Sequence, residues 1–342
     1  VRPNESSQLG GQSGRATPGP LVAADCREHW ASIRARTTDF SLSLFVDPEA
    51  DTSVPSRAER PWRLGAPFVL THLALLGIFF VGWSDLALVA AVVSYSVRAF
   101  GITAFYHRCF SHRAFKVGRT VQFVGALAGA AAAQRGPLWW VAHHREHHRF
   151  TDQPGDPHSP VVDSFWYSHV MWIFSPENSA TKLDVVPDLA AFPELRLIDR
   201  FEHLVPTVFA AGVFLVGVVL GHLDPSLHTS GPQLLEWGFF LPTILLYHST
   251  FAVNSFAHRF GRRRFATPDA SRNNLVVALL VFGEGWHNNH HRFPTSARQG
   301  ITWYELDPTW WGIRLLATLH LARSIRGLPP LPTRDVGVDL TT

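Results

Sequence analysis

Four long apolar runs constrain the fold of this chain more than any other feature of its sequence. They extend from about Pro67 to Trp83, Leu86 to Phe105, Leu204 to Leu220 and Leu234 to Val253. A helix crossing a bilayer needs about 20 mostly apolar residues, so each run reads as a membrane span. Only Ser84 and Asp85 separate the first two, which predicts a tight helical hairpin. The second run contains Arg98, which a span accommodates only if the side chain faces the bundle or snorkels. A fifth run, Val121 to Ala133, is too short to span. It is rich in Ala and Gly, and it reads as a buried or re-entrant helix.

Any one of these runs would pass as a core helix; four with a consistent charge asymmetry would not. Arg57, Arg60 and Arg63 precede the first run. Arg108, Arg113, Lys116, Arg119, Arg135, Arg145 and Arg149 lie between the second and third. Arg259, Arg262, Arg263 and Arg264 follow the fourth. The connections Trp83–Leu86 and Gly221–Gln233 hold neither Lys nor Arg. The excess of cations on one side predicts both termini and the long middle segment in the cytoplasm. Arginines beside spans also suit anionic lipid head groups or an anionic substrate.

Composition agrees. Charged residues make up 17% of the 342 residues, against about 25% in soluble domains. The net charge of +3 gives no sign of a nucleic-acid partner. Two cysteines, Cys26 and Cys109, build neither a disulfide framework nor a thiolate metal site. Residues from Val1 to about Pro20 are rich in Ser, Gly, Gln and Pro and read as a disordered tail. The first residues lack the pattern of a signal peptide.

Histidine is the anomaly. Of nineteen, eight fall in three short segments: His107 and His112; His144, His147 and His148; His287, His290 and His291. Each segment lies just beyond an apolar stretch, on the side assigned to the cytoplasm. Positions i, i+3 and i+4 share a helix face, so each trio is expected to offer three imidazoles to one locus. His107 and His112 are i and i+5, which requires a helix end or an irregular turn between them. Imidazole suits zinc, copper, iron and nickel. A zinc ion takes about three or four protein ligands, so eight clustered imidazoles predict a dinuclear centre. Without cysteine or a carboxylate-rich motif, iron for O₂ chemistry is the best fit. His29, His72, His222, His228 and His320 read as surface or satisfied core residues. His143 sits beside a trio but off its face. Asn254 and His258, at i and i+4, share a face at the end of the fourth run, and the ligand role of His258 stays open on spacing alone.

These motifs together resemble the membrane fatty acyl desaturase family, of the stearoyl-CoA (Δ9) type. The resemblance rests on HRCFSH at His107–His112, HREHH at His144–His148, VNSFAH at Val253–His258 and GEGWHNNHH at Gly283–His291. Asp156-Pro157-His158-Ser159 and Ser168-His169-Val170-Met171-Trp172 add to it, and it covers roughly Trp62 to Leu321. It implies an all-α integral membrane fold of four transmembrane helices under a cytosolic helical cap holding a di-iron site. It implies nine ligands: His107, His112, His144, His147, His148, His258, His287, His290 and His291. Asn254 would hold a water on one iron. The third box, with Trp286 and Asn289 and the following FPTSAR, is closer to bacterial and plant members. The domain expected is 61–325, between an N-terminal extension of 1–60 and a tail of 326–342.

The resemblance further implies O₂-dependent insertion of a cis double bond into a saturated acyl thioester, acyl-CoA by expectation. Two electrons would come from cytochrome b5 or a ferredoxin-type donor with its reductase. Trp139, Trp140, Trp166, Trp172 and Trp286 are candidates for tunnel walls or interfacial anchors. Glu146 and Glu284 are candidates for orienting ring nitrogens. A lipid hydroxylase or acetylenase is the nearest rival, and a metal-handling membrane protein is the rival from another class.

Overall fold

A computed structural model describes residues 61–330. The N-terminal extension, the last residues of the tail, Cys26 and His29 therefore lie outside the described residues. The described chain is mostly helical, with one two-stranded ribbon pairing Lys116–Val117 with Ala322–Arg323.

Helix α1 (Pro61–Ala74) starts earlier than the first apolar run and continues through a 3₁₀ turn into Ile78–Val81. Helix α2 (Asp85–Phe100) is capped by the Ser84 hydroxyl, which accepts from the Ala87 N–H. It passes without a break into a π-helix, Gly101–Ser111. Together Asp85–Ser111 form one of two helices long and apolar enough to cross a membrane, the other being α6 (Leu204–Leu223). Gly65–Val81 is a shorter apolar helix. The fourth run folds as Gly231–Leu235, a π-turn at Glu236–Phe240, and α7 (Leu241–Ser255). The outer faces are unusually apolar: Phe79 is 80% exposed and Phe80 87%. In water such a surface would be a large apolar patch; against lipid it is the expected one.

Arg98 is fully buried and faces the bundle. Its guanidinium donates to Ser94 O, Ala131 O, Phe239 O and the Thr243 hydroxyl, and lies over the rings of Phe209 and Phe239. Neutral acceptors thus meet the condition that an arginine inside an apolar run imposes.

The fifth run forms a short helix, α3 (Arg119–Ala130), buried along Gly125, Ala126, Gly129 and Ala130 and exposed at Phe123 and Val124. Its small residues permit a close crossing with the Gly101–Ser111 segment. A Cβ on Gly101 would fall 2.4 Å from Gly129 N, and one on Gly129 2.4 Å from the Tyr106 ring. Helix α4 (Pro137–Phe150) then carries the second histidine box. Its first turn is capped by Asp199 of α5 (Pro193–Arg200), whose Oδ1 accepts from Leu138 N and Trp139 N at 2.9 Å each. The third box forms the short α8 (His287–Arg292), and α9 (Pro308–Thr318) packs Gly312 against Phe100. Arg326 bonds through its backbone to Ala114 and Ala297, so the chain stays tied to the body past residue 325.

Candidate metal centre

The π-helix explains the spacing of the first box. On an α-helix, residues i and i+5 lie about 140° apart; the wider π-turn brings them nearer one face. The His112 N–H donates to His107 O at 3.2 Å, an i+5 bond, and the two rings stand 4.8 Å apart.

The nine histidines fall into two buried groups, in each of which the candidate ligand atoms lie within 4.8 Å of one another. One group holds His107, His112, His144, His148 and His290. The other holds His147, His258, His287 and His291. Ring nitrogens face each other across each group. His112 Nε2 lies 2.7 Å from His144 Nε2, and His290 Nε2 lies 3.1 Å from His107 Nε2 and 3.0 Å from His148 Nε2. In the other group His258 Nε2 lies 3.0 Å from His287 Nε2.

Two sequence expectations need correction here. Neither trio serves a single locus. His144 and His148 join one group while His147 turns to the other, and His290 is separated from His287 and His291 in the same way. A helix face is wide enough for two neighbouring loci, and α4 and α8 each straddle both. Nor do Asn254 and His258 share a helix face. Helix α7 ends at Ser255, and the Ala257 N–H bonds to Ala252 O in an i+5 turn. That turn, not helical periodicity, delivers His258. Asn254 lies half-buried one residue before the end of α7.

Carboxylates hold the outer nitrogens. His147 Nδ1 donates to Asp156, 3.0 Å from each oxygen. His258 Nδ1 donates to Asp152 at 2.9 Å and His291 Nδ1 to Asp269 at 3.0 Å. His107 Nδ1 pairs with Glu284, which also accepts from Arg108. Glu284 thus does orient a ring, whereas Glu146 pairs with Lys182. Asp152, Asp156 and Asp269 were not foreseen as ring partners. Asp156 stood only within a matched motif, and nothing local marks the loop residue Asp269.

A carboxylate at Nδ1 keeps the ring proton there, leaving Nε2 as a bare lone pair. In four of the nine rings such lone pairs point inward with no proton to share. His287 Nδ1, His290 Nδ1 and His291 Nε2 are buried without a hydrogen-bond partner. Converging lone pairs repel unless a cation lies among them, so the residues fit a metal in each group. The donor set, all imidazole, is one that iron accepts. Burial, followed by repulsion from the neighbouring rings, pushes His112, His144, His148, His287 and His290 well below the ordinary histidine value. The rings are therefore neutral and able to ligate. Burial would also lower His147, but the Asp156 charge and hydrogen bond outweigh it and raise that ring.

Beside the five-histidine group lies a cleft whose lining includes Phe68, Trp139, Trp140, Trp172, Tyr247 and Phe251. Trp140 lines the cleft and stacks on His144 with centroids 5.1 Å apart, so the cleft adjoins that group. Trp286 is buried at the start of α8, donating to Leu306 O. Trp166 is 68% exposed and stands outside the lining of that cleft. His143 donates to Trp139 O and stays out of both groups. His72 bonds Phe68 O and His248, a satisfied polar residue as expected.

A histidine centre of this kind, set among apolar helices, defines a class of membrane metalloenzyme, and comparison with known proteins specifies which. Residues 82–324 match the model of the fatty acid desaturase family. The chain is 39% identical over 285 residues to an sn-2 palmitoyl-lipid 9-desaturase of Nostoc sp. (strain 36), covering 81% of this chain and 95% of that one. It is 35% identical to an icosanoyl-CoA 5-desaturase of Limnanthes douglasii, covering 78% and 70%. It is 33% identical to Delta-9 acyl-lipid desaturase 2 of Arabidopsis thaliana, covering 82% and 91%. The chain belongs to the fatty acid desaturase family. It is a membrane-associated desaturase acting on fatty acyl substrates, an oxidoreductase.

Proposed function

We propose that this protein inserts a cis double bond into a saturated acyl chain, using two irons held by the nine histidines. The observation carrying this reading is the convergence of imidazole nitrogens into two adjoining groups beside a cleft lined in large part by aromatic side chains. Four membrane-crossing helices, with both termini and the centre cytoplasmic, complete the reading, and Asn254 would place a water on one iron. Bound iron supplies the O₂-dependent removal of hydrogen. The overall change is R–CH₂–CH₂–R′ + O₂ + 2e⁻ + 2H⁺ → R–CH=CH–R′ + 2H₂O, with the electrons from cytochrome b5 or a ferredoxin-type donor and its reductase.

The chain's own residues place and protect. Trp139, Trp140, Trp172, Phe68 and Phe251 offer an apolar lining that would hold one pair of methylenes against the centre; such fixed placement substitutes for a large part of the barrier. The same walls keep water away. Glu284, Asp152, Asp156 and Asp269 hold the Nδ1 protons and so fix which ring nitrogen faces inward.

The carrier has two readings. An acyl-CoA, or another thioester, with its head near arginines is what the family resemblance implies. A specific observation favours an acyl chain esterified in a membrane lipid. Arg113 and Arg145 are paired with Asp188, Arg119 with Glu194, Arg135 with Glu202 and Lys182 with Glu146. Cations already paired with carboxylates attract a nucleotide's phosphates less than free ones would. Expression in a host lacking its own desaturase, with fatty acid and lipid profiling, tests both. Loss of two hydrogens from the product is expected; gain of one oxygen would make the protein a hydroxylase. A purified, iron-loaded sample offered palmitoyl-CoA or dipalmitoyl lipid separates the carriers.

A further inference from the structure

The two histidine groups are electrostatically unequal. Three rings of the four-histidine group are backed by carboxylates: His147 by Asp156, His258 by Asp152 and His291 by Asp269. The remaining bonds to these carboxylates come from hydroxyls and backbone N–H groups. Asp152 accepts from Ser159 and Ala270 N, Asp156 from Asp152 N and His158 N, and Asp269 from Thr267 and Ser271 N. Arg263 donates to the backbone carbonyl of Asp269 at 2.7 Å, not to its carboxylate. The five-histidine group differs. Its one backing carboxylate, Glu284, is shared with Arg108, which Asp307 also binds. Three of its residues, His112, His144 and His148, are only partly buried, against one, His291, in the four-histidine group.

A cation gains more from three backing carboxylates than from one carboxylate shared with a guanidinium, because shielding from water weakens screening. Hydrogen bonds to the outer nitrogens also make the ligands more basic. Both effects act in one direction. We infer that the two sites load in order, the four-histidine site first and tightly, the five-histidine site second and more labile, with Asp152, Asp156 and Asp269 as the positioning residues that set the order. This rests on the reading of both groups as metal sites.

The test is a titration of metal-free, detergent-solubilised full-length protein with Co(II), followed by calorimetry and by visible absorption of the bound ion. Two steps are expected, the first at least about tenfold tighter than the second. His287→Ala should abolish the tight step and His144→Ala the weak one. Asp269→Asn and Asp152→Asn should each weaken the tight step by about 10- to 100-fold and leave the weak step in place. Asp269→Glu, which keeps the charge, should recover most of the loss. If Asp269→Asn fails to fold, as judged by metal-free melting, Asp152→Asn carries the same test. Equal steps, a reversed order, or an aspartate variant that weakens both steps alike overturns the inference. Wild-type protein that binds no Co(II), or a single equivalent, overturns the two-metal reading beneath it.

Discussion

His147 and His148 are neighbours in the chain, yet their rings belong to different groups. Their centroids lie 5.4 Å apart at an interplanar angle of 78°. His147 turns toward His258 and His291, and His148 toward His112 and His290. One turn of α4 therefore stands between both candidate metal sites, and its position sets their separation.

Replacement of either residue should then cost activity through a different site. His147→Ala and His148→Ala are each expected to lower product formation by about 100-fold or more, in the range seen when a unit acts together. Each should remove about one metal equivalent on elemental analysis. His222→Ala, on a residue at the end of α6 outside both groups, should match the parent protein. Full activity in His147→Ala would remove that ring from the ligand set.

Glu284 supports two buried groups at once, the His107 ring and the Arg108 guanidinium. Glu284→Gln leaves Arg108 with Asp307 as its sole carboxylate partner. Removing one member of a buried charged network is destabilising, here by about 3 kcal/mol because Asp307 remains. A fall in the thermal midpoint of the metal-free protein measures this; an unchanged midpoint would show that the contact contributes little.

The close crossing of α3 over the Gly101–Ser111 segment admits no side chain at Gly101, where a Cβ would meet the backbone of Ala128 and Gly129. Gly101→Val should prevent accumulation of folded protein or shift the first histidine box. Gly118→Ala is the control, since nothing lies within 4 Å of its Cβ position. Size-exclusion profiles of the two variants should differ clearly.

Asp188 clamps Arg113, which follows the first box, and Arg145, which lies within the second. Burial alone would raise its carboxyl; the hydrogen bond and charge of Arg145, then those of Arg113, outweigh burial and hold it below the ordinary value. A depressed carboxyl stabilises the fold above its unfolded pKa, near 4, and loses that contribution as pH falls through the folded value. Asp188 is part-exposed, so the effect is about 1 kcal/mol. The melting gap between parent and Asp188→Asn should be open at pH 7 and close below about pH 4. A gap that persists there would point to packing instead of charge.

The residue types and short-range spacing of the boxes were legible because helical periodicity is local. Three imidazoles at i, i+3 and i+4 must share a face wherever the helix goes. The apolar runs, and the reading of Val121–Ala133 as a short helix, follow from the same local rule. The π-turn at His107–His112 was foreshadowed only as an irregularity, since an i+5 pair shows that an α-helix fails without showing what replaces it.

The sequence by itself determined which side chains were available to a metal, and that they lie beside apolar helices. Tertiary structure alone decided how nine rings divide into five and four, because that division depends on how the separate boxes are brought together, which leaves no periodic trace in a chain. It alone brought Asp269 from a loop to His291, and it alone joined Arg113 and Arg145 to Asp188. Pairings across long stretches of chain are set by packing of the whole molecule, and no local pattern encodes them.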